Sequence, residues 1–349
     1  MARRFRRVAI LPALLAIAAG SLPASSVTAA ATLPPQAIPT HVYSPYFETW
    51  TADTLAGVAQ SSGVRYFTLA FLETTSKTSC TLAWDGVRTD AVANGKYLDD
   101  IAALRQLGGD VIPSFGGWSA DQGGTEIGDS CKDVNQIFLA YRDLVTRYKV
   151  SRLDMDIEGR SLTKTDGIDR RNKAIKMLQD WAAGIGWPLT ISYTLPTSAN
   201  GLEASGKAVL ANAKANGVAG YIVQPMVFDY YDRVTRDMGA AAESALTGTE
   251  AYFKNTLEPG QSDAALWART GATIMNGIDD YPKKTEVTTI PDAQRLLTFA
   301  QGKHMAVLSM WAIQRDNGNC PGVGGANDCS GISQPTWGFS QILNAFTGP

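Results

Sequence analysis

Short apolar runs alternate with amphipathic helical patterns along most of the chain. Eight of these runs have the length of β-strands, and they lie at residues 41–46, 66–72, 110–115, 152–157, 189–194, 221–228, 270–276 and 306–311. The clearest helical pattern follows the third run, with Val134, Ile137 and Tyr141 at helical spacing and Asp133 placed as the N-cap. This regular alternation of strands and helices predicts a parallel sheet.

Seven more helices are expected from the same pattern, at residues 55–60, 97–107, 175–182, 202–215, 238–257, 291–301 and 339–346. Eight strands, each followed by a helix, predict an α/β fold of the (β/α)8 type, the TIM barrel, in a single domain. The alternative is an open, doubly wound sheet, which usually has a Gly-rich phosphate loop after its first strand. The first strand here is followed by Phe47-Glu48-Thr49-Trp50, without glycine, which favours the closed barrel.

The first 31 residues have the pattern of a secretory signal peptide. Four arginines within residues 3–7 precede an apolar run at 8–19, and small residues end the segment. The apolar run is shorter than the roughly 20 residues that a membrane span needs, so no membrane anchor is expected. We therefore predict a signal peptide at 1–31, a short Pro-rich linker at 32–40, a catalytic barrel at 41–349 and a secreted, extracellular protein. The paired arginines leave both the Sec and the twin-arginine export routes open.

Composition and charge exclude several classes of partner. Hydrophobic residues make up 45% of the chain, the mean hydropathy is -0.09 and the net charge is -2. No basic patch follows residue 31, so neither nucleic acid nor an anionic membrane surface is an expected partner. Nothing in the sequence requires more than a monomer.

The cysteines and histidines narrow the chemistry further. An even number of cysteines in an exported chain favours disulfides, and four cysteines allow three pairings. The local pairing Cys320–Cys329 is favoured, which leaves Cys80–Cys131. A zinc site lacks CxxC spacing and nearby histidines.

The chain has only two histidines, and neither lies in a recognisable catalytic motif. This argues against Ser-His-Asp or Cys-His catalysis and against most histidine metal sites. Carboxylates are therefore the expected catalytic groups, with no cofactor and no metal.

The fourth predicted strand carries a ladder of three acids. Successive side chains of a strand point to opposite faces, so Asp154, Asp156 and Glu158 share one face, which in a barrel points inward. Unpaired buried carboxylates are costly, and closely spaced like charges do not all ionise freely. An exposed edge strand and a site for a hard cation are the two alternatives. Paired acids, one kept protonated as a general acid, fit best with Glu158 at the C-terminal end of the strand, where barrel active sites lie.

Asp154-x-Asp156-x-Glu158 at the end of strand four resembles the signature of glycoside hydrolase family 18, the chitinases. Three further segments agree in order along the chain: the S-x-G-G element at 114–117, the strand-six element at 224–229 and Ser-Met-Trp at 309–311. The resemblance spans essentially the whole chain after the signal peptide, and it is greatest to the compact bacterial and archaeal chitinases. It implies a secreted enzyme that hydrolyses β-1,4 linkages of N-acetylglucosamine in chitin or chitooligosaccharides.

The resemblance also implies roles for individual residues. Glu158 is the expected general acid and base, Asp156 is expected to hold the acetamido N–H, and Asp154 to share a proton with Asp156. Trp311 is expected to stack under the sugar at the cleavage site. The other expected substrate-binding residues are Asp229, Met226, Gln224, Tyr230, Tyr193, Gly116 and Gly117, and the two glycines are expected to allow close backbone approach.

Two positions depart from the family pattern. The first aspartate of the longer signature is Ser151 here, so we expect altered proton coupling. The tyrosine that precedes the strand-six aspartate is Phe228, which cannot donate a hydrogen bond to the acetamido carbonyl. Tyr230 and Tyr193 are the two candidates for that donor, and the sequence does not choose between them.

Two alternative functions remain open at this level. An endo-β-N-acetylglucosaminidase that acts on N-glycans has the same ladder of acids, and a non-catalytic chitin-binding lectin has the same barrel. Such lectins typically lack the terminal glutamate, so Glu158 counts against the second alternative. A carboxylate metal enzyme is a third, and a chelator would inactivate it. Trp118, Trp50 and Tyr231 are candidates for extending the cleft.

Overall fold

The computed structural model describes Pro35, residues 37–281 and residues 285–348. The predicted signal peptide and residues 32–34 and 36 of the predicted linker lie outside the described residues. Within the described part of the chain, no helix is long and apolar enough to cross a membrane. The described residues belong to one compact unit.

Eight parallel barrel strands form the centre of this unit, as the sequence predicts. Strand β1 consists of two segments, Val42–Tyr43 and Tyr46–Glu48; the others are β2 (Tyr66–Thr74), β3 (Asp110–Gly116), β4 (Arg152–Asp156), β5 (Thr190–Ser198), β6 (Ile222–Met226), β7 (Gly271–Met275) and β8 (Val307–Trp311). Each strand pairs with the next, the first segment of β1 pairs with β8, and its second segment pairs with β2. The two halves of β1 therefore close the barrel.

One main helix follows each strand. These helices are α1 (Leu55–Ser62), α2 (Leu98–Gln106), α3 (Val134–Tyr148), α4 (Thr165–Gly184), α5 (Ala204–Ala215), α6 (Met238–Tyr252), α7 (Ile290–Lys303) and α8 (Gly338–Leu343). The predicted cap of α3 is confirmed, because Asp133 accepts hydrogen bonds from the amides of Asn135 and Gln136. Helix α7 begins with a capping box between Thr289 and Asp292.

The apolar face of β4 packs outward against the helices. Leu153, Met155 and Ile157 belong to the main hydrophobic core, together with Ile137 and Leu144 of α3. All five side chains are buried. Truncating such a core leucine to alanine typically costs about 2–5 kcal/mol, so this packing fixes the strand that carries the acids.

The inward-facing side chains form layers along the barrel axis. The layer at the N-terminal end is mostly apolar, and it contains Val42, Ile112, Ile222 and Val307, with Ile38 packed against them. The buried side chain of Arg152 on β4 lies at the same level. The next layer is polar, and its members include Ser114, Asp154 and Ser192. The upper layer, at the C-terminal mouth, brings Asp156, Met226 and Trp311 to the cleft.

Several short elements escape the sequence patterns. The strand Leu82–Trp84 pairs antiparallel with β2, and Gly277–Ile278 forms a hairpin with Val287–Thr288. Short helices cover Gly117–Gly123, Ile127–Ser130 and Asp263–Trp267. Strands of two or three residues carry no readable alternation, which is why the pattern does not predict them. Both predicted disulfides are confirmed: Cys80 is bonded to Cys131, and Cys320 to Cys329.

Candidate active site

A cleft of about 620 Å³ lies at the C-terminal mouth of the barrel, where it is lined by carboxyl groups and aromatic rings. Its lining residues include Tyr46, Trp50, Phe71, Glu73, Asp85, Trp118, Asp156, Glu158, Thr194, Met226, Phe228, Asp229, Tyr231, Asp280 and Trp311. The predicted general acid thus lies in the same cleft as the predicted stacking tryptophan. Among the described residues, no group of histidine, cysteine and acidic side chains is arranged to hold a metal ion.

Asp154, at the base of the ladder, is surrounded by hydroxyl groups. Its Oδ2 accepts hydrogen bonds from Tyr46 at 2.9 Å and Ser114 at 2.7 Å. Its Oδ1 accepts from Ser192 at 2.7 Å and Thr194 at 2.9 Å. Burial raises the pKa of Asp154, and the four hydroxyl donors oppose that rise. The carboxylate is therefore saturated by neighbours on β1, β3 and β5.

Asp156 stands one layer higher in different surroundings. Its side chain is 4% exposed, and its Oδ1 has no hydrogen-bond partner among the described residues. Burial, followed by the nearby charges of Glu158, Asp154 and Asp121, holds the pKa of Asp156 well above its usual range, and a hydrogen bond from Tyr46 opposes this. Burial and the neighbouring acids therefore favour the protonated, uncharged form of Asp156.

Glu158 lies two residues beyond the end of β4, at the start of a short 3-10 turn, Gly159–Leu162. Burial, followed by the charge of Asp280 across the cleft, raises the pKa of Glu158 to about 7, while the Trp118 amide donates a hydrogen bond to its carboxyl group and lowers it. A carboxyl group with a pKa near the ambient pH is suited to give and to take a proton in turn.

Two glycines at the end of β3 allow the chain to pass close to β4 and to the Phe71 ring. Gly116 and Gly117 have φ angles of 96° and 79°, which favour glycine. A Cβ atom at Gly116 would collide with the main-chain oxygen of Asp156 on β4, and one at Gly117 would lie 2.5 Å from the Phe71 ring. The glycines thus let the chain turn into the helix Gly117–Gly123 directly beside the ladder.

Trp311 ends β8 as part of an aromatic wall of the cleft. Its ring stacks on Phe71 with centroids 5.5 Å apart and an interplanar angle of 11°. The Tyr46 ring lies 5.5 Å from it and the Trp50 ring 6.1 Å. Trp50 and Trp118 are 47% and 57% exposed, so each presents an aromatic face to solvent at the cleft.

Asp229 lies across the cleft, just after β6. Burial, followed by a hydrogen bond that the protonated Asp229 carboxyl group donates to the neighbouring Asp280 and by the charge of Asp280, raises the pKa of Asp229 to about 10. Desolvation and the adjacent Asp229 hold the pKa of Tyr231 above its usual range, and the two side chains share a hydrogen bond. Met226 also lines the cleft. The strand-six segment therefore brings an acid and a tyrosine toward Glu158.

Three predicted substrate-binding residues lie elsewhere, and these predictions are corrected. Tyr193 faces the helices, where its hydroxyl donates a 2.7 Å hydrogen bond to Asn172, because strand alternation places it with Met155 on the outward face. Tyr230 packs with Met226 and Met238 in an apolar cluster that borders the cleft, and Tyr230 itself does not line the cleft. Gln224 lies below the cleft and donates to Thr273 at 2.7 Å.

Several residues that line the cleft are not predicted as binding residues from the sequence, and four of them interact with its acids or with Trp311. Tyr231, considered only as an extension of the cleft, is the strand-six tyrosine that lines it. Tyr46 and Phe71 follow strand alternation in β1 and β2, so their inward direction was readable once the strands were placed. Asp280 has no such signal, because it lies in an irregular loop after the hairpin strand Gly277–Ile278.

A (β/α)8 barrel with an acid ladder in an aromatic cleft defines the site of a glycoside hydrolase. The family model for glycosyl hydrolases family 18 matches residues 42–317, and the chain therefore belongs to that family. The catalytic domain of a chitinase from Pyrococcus furiosus is a solved structure with the same fold. It aligns with a TM-score of 0.77 and 27% identity, covering 89% of this chain and 96% of that one.

Two further relatives have a higher sequence identity to this chain than the Pyrococcus furiosus domain has. A probable bifunctional chitinase/lysozyme of Escherichia coli K12 is 34% identical over 330 residues, covering 90% of this chain and 35% of the relative. Endochitinase 11 of Metarhizium anisopliae is 34% identical over 294 residues, covering 81% of this chain and 54% of the relative. The chain thus spans between a third and about half of the length of these relatives.

Proposed function

We propose that this chain is a chitinase that hydrolyses β-1,4 linkages between N-acetylglucosamine units, with Glu158 as general acid and base. The observation that carries the proposal is the position of Glu158, whose carboxyl group has a pKa of about 7 and lines the same cleft as Asp156 and the Trp311 ring. Membership of family 18 and the resemblance to the Pyrococcus furiosus chitinase domain support it.

The proposed reaction retains the anomeric configuration and uses the substrate as its own nucleophile, as is general in family 18. The Glu158 carboxyl group donates its proton to the leaving glycosidic oxygen. The N-acetyl carbonyl oxygen of the sugar attacks the anomeric carbon as the bond to the protonated glycosidic oxygen breaks, which forms an oxazolinium ion. The Glu158 carboxylate then takes a proton from water while the water oxygen attacks the anomeric carbon. This attack breaks the bond to the acetamido oxygen, opens the oxazolinium ring and gives overall retention.

Asp156 and Asp154 have different proposed roles. Asp156 Oδ1 lacks a partner among the described residues and accepts the acetamido N–H of the bound sugar. Asp154 contributes a fixed negative charge below it, because its oxygens already accept four hydroxyl hydrogen bonds. The hydroxyl of Tyr46 hydrogen-bonds both carboxyl groups, so we propose that it links their charge states in place of a directly shared proton.

The remaining cleft residues orient the sugar. We propose that Trp311 stacks on its apolar face and that the Tyr231 hydroxyl donates to the acetamido carbonyl, the function that Phe228 cannot perform. Without substrate the Tyr231 hydroxyl is hydrogen-bonded to Asp229, so its single proton turns from Asp229 to the acetamido carbonyl when the sugar binds. The exposed rings of Trp50 and Trp118 extend the cleft for further sugar units.

The direct test offers the wild-type protein a chitin hexamer and, separately, a glycoprotein with N-linked glycans. We expect release of short chitooligosaccharides from the hexamer. Release of glycans from the glycoprotein, with the hexamer untouched, would reassign the chain to endo-β-N-acetylglucosaminidase activity. Binding of the hexamer without cleavage would reassign it to a lectin.

We also propose that the protein is exported and acts outside the cell. The two disulfides support this, because disulfides persist in oxidising compartments. N-terminal sequencing of protein recovered from the culture medium of the expressing host is expected to begin near residue 32. An intact Met1 on protein found only in the cell fraction would contradict export.

A further inference from the structure

A seven-residue helix, Gly117–Gly123, contacts the catalytic glutamate at two points. The Trp118 amide donates to the Glu158 carboxyl group, and the Asp121 carboxyl group accepts the main-chain N–H of Glu158. Gln122 lies against Gly159, where a Cβ atom would collide with its side-chain amide. One short helix thus contacts both the side chain and the backbone of Glu158.

Asp121 is the unexplained member of this helix. Its side chain is 0% exposed, Oδ2 accepts the Glu158 amide, and Oδ1 is buried without a hydrogen-bond partner among the described residues. A Cβ atom at Gly116 would lie 3.4 Å from Asp121 Oδ1 and in collision with the main-chain oxygen of Asp156. The carboxyl group of Asp121 therefore borders the ladder itself, although nothing in the proposed reaction uses it.

The charges around Asp121 come from three neighbouring elements. Glu126 and Arg171 form a bidentate buried ion pair, with N–O distances of 3.1 Å and 2.7 Å. Asp156 and Glu158 add two more acids from the ladder. Asp121 thus lies among three other carboxyl groups, with the buried cation Arg171 beside them. Like charges at this spacing do not all ionise.

We propose that Asp121 is a positioning residue, which holds the general acid in place through an uncharged carboxyl group. A protonated carboxyl group retains an oxygen that accepts the Glu158 amide, and it adds no further negative charge beside Asp156. Burial and the charge of Glu126 hold the pKa of Asp121 well above its usual range, in agreement with this assignment. The inference rests on the proposed function of Glu158 as general acid.

Two substitutions separate the hydrogen bond from the charge. Asp121→Asn retains an acceptor oxygen and stays uncharged, so we expect kcat to remain within about threefold of wild type and the alkaline limb of the pH profile to stay in place. Asp121→Ala removes the acceptor, so we expect kcat on chitin hexamer to fall about 10- to 100-fold, because a displacement of about 1 Å is enough for such a loss. The KM is expected to stay within about threefold in both variants.

Asp316→Ala is the matched control. Asp316 is also 0% exposed, and its carboxyl group also accepts hydrogen bonds from main-chain amides, those of Phe339 and Ser340 in the first turn of α8. Unlike Asp121, it is not near the residues that line the cleft. Its loss is expected to lower thermal stability and leave kcat unchanged. Equal kcat losses in Asp121→Ala and Asp316→Ala would reduce Asp121 to a merely structural role and overturn the proposal.

An infrared measurement tests the protonation state without relying on activity. The difference spectrum of wild type minus Asp121→Asn at pH 7 is expected to contain the C=O band of a protonated carboxyl group. Carboxylate bands in its place, or an Asn variant as impaired as the Ala variant, would overturn the proposal. If the wild type does not cleave chitin hexamer, the proposed function fails, while the infrared result still decides the state of Asp121.

Discussion

Asp154 and Asp156 are two residues apart on the same inner face of β4, yet their surroundings are opposite. The layer around Asp154 offers four hydroxyl donors from three strands. The layer around Asp156 leaves Oδ1 without a partner among the described residues and places the carboxyl groups of Glu158 and Asp121 nearby. One carboxyl group is satisfied before substrate arrives, and the other is not.

The difference separates a structural acid from a reactive one. A buried acceptor without a partner lowers stability, since its desolvation is not compensated. At the mouth of the cleft, that acceptor is positioned to receive a substrate N–H. The lower layer thus supports the fold, whereas the upper layer leaves an acceptor open that, in the proposed mechanism, binds the sugar.

The largest expected effect comes from removing the proposed general acid, Glu158, which lies above the layer of Asp156. Glu158→Gln keeps the shape of the side chain but cannot donate a proton, so we expect kcat on chitin hexamer to fall by about 10²–10⁴-fold. Glu73→Gln is the matched control, because Glu73 also lines the cleft and burial also raises its pKa. Steady-state kinetics of both variants check this, and equal losses would show that the assignment of the acid is wrong.

The second prediction concerns pH. The pKa of Glu158 is about 7 in the folded protein, above its ordinary value of 4.5, so the folded state binds this proton more tightly than the unfolded state. The stability from this group is fully present below about pH 4.5 and is lost as the pH rises through 7. Glu158→Gln cannot ionise, so it is expected to be more stable than wild type at pH 8, by at most about 3 kcal/mol.

Chemical denaturation of both proteins at pH 4 and pH 8 measures this difference. Near pH 4 the two stabilities should coincide, because Glu158 is then protonated in both the folded and the unfolded state. The kcat of the wild type should also fall as the pH rises above 7, because Glu158 then loses the proton that it donates. A stability difference that does not depend on pH would mean that the pKa of Glu158 is not raised.

A third prediction separates the two aspartates by stability. Asp154→Asn replaces Oδ2, the acceptor of Tyr46 and Ser114, by an amide group that cannot accept, so we expect a loss of about 1–3 kcal/mol. Asp156→Asn keeps the side chain uncharged, the form that burial and the neighbouring acids favour for Asp156, so its stability is expected to stay within about 1 kcal/mol of wild type. Thermal unfolding at pH 7 compares them, and the reverse order would undermine the contrast between the layers.

The smallest expected effect distinguishes two tyrosines. Tyr231→Phe removes a hydroxyl group in the cleft and is expected to lower kcat/KM about 10-fold, the value of a single hydrogen bond of about 1.4 kcal/mol. Tyr193→Phe removes the bond to Asn172 and is expected to lower stability by about 1 kcal/mol without affecting kcat/KM. An effect of Tyr193→Phe on kcat/KM would restore Tyr193 to the site.

The sequence predicts the barrel and the acid ladder because both depend on local periodicity. All eight strands and the eight main helices match predicted segments, and alternation within β4 places Asp154 and Asp156 on the inner face. The same alternation, applied to β5, would have placed Tyr193 outward with Met155. A tyrosine hydroxyl therefore indicates a site residue only when its position in the strand also points the side chain into the barrel.

The remaining site residues depend on contacts that local patterns do not contain. Asp280 and Tyr231 lie in irregular loops, where no periodicity indicates direction. Asp121 lies on a short helix whose contact with Glu158 arises only because two glycines turn the chain beside β4. These residues come together through tertiary packing, which one sequence read strand by strand does not show.

The most direct test of the proposed mechanism follows the anomeric protons by NMR while wild-type protein cleaves a chitin hexamer. We expect new reducing ends to appear first as the β-anomer and to equilibrate later, because the substrate-assisted route retains configuration. Under the same conditions Glu158→Gln should release reducing ends too slowly to follow. New ends that appear first as the α-anomer would contradict the retaining mechanism.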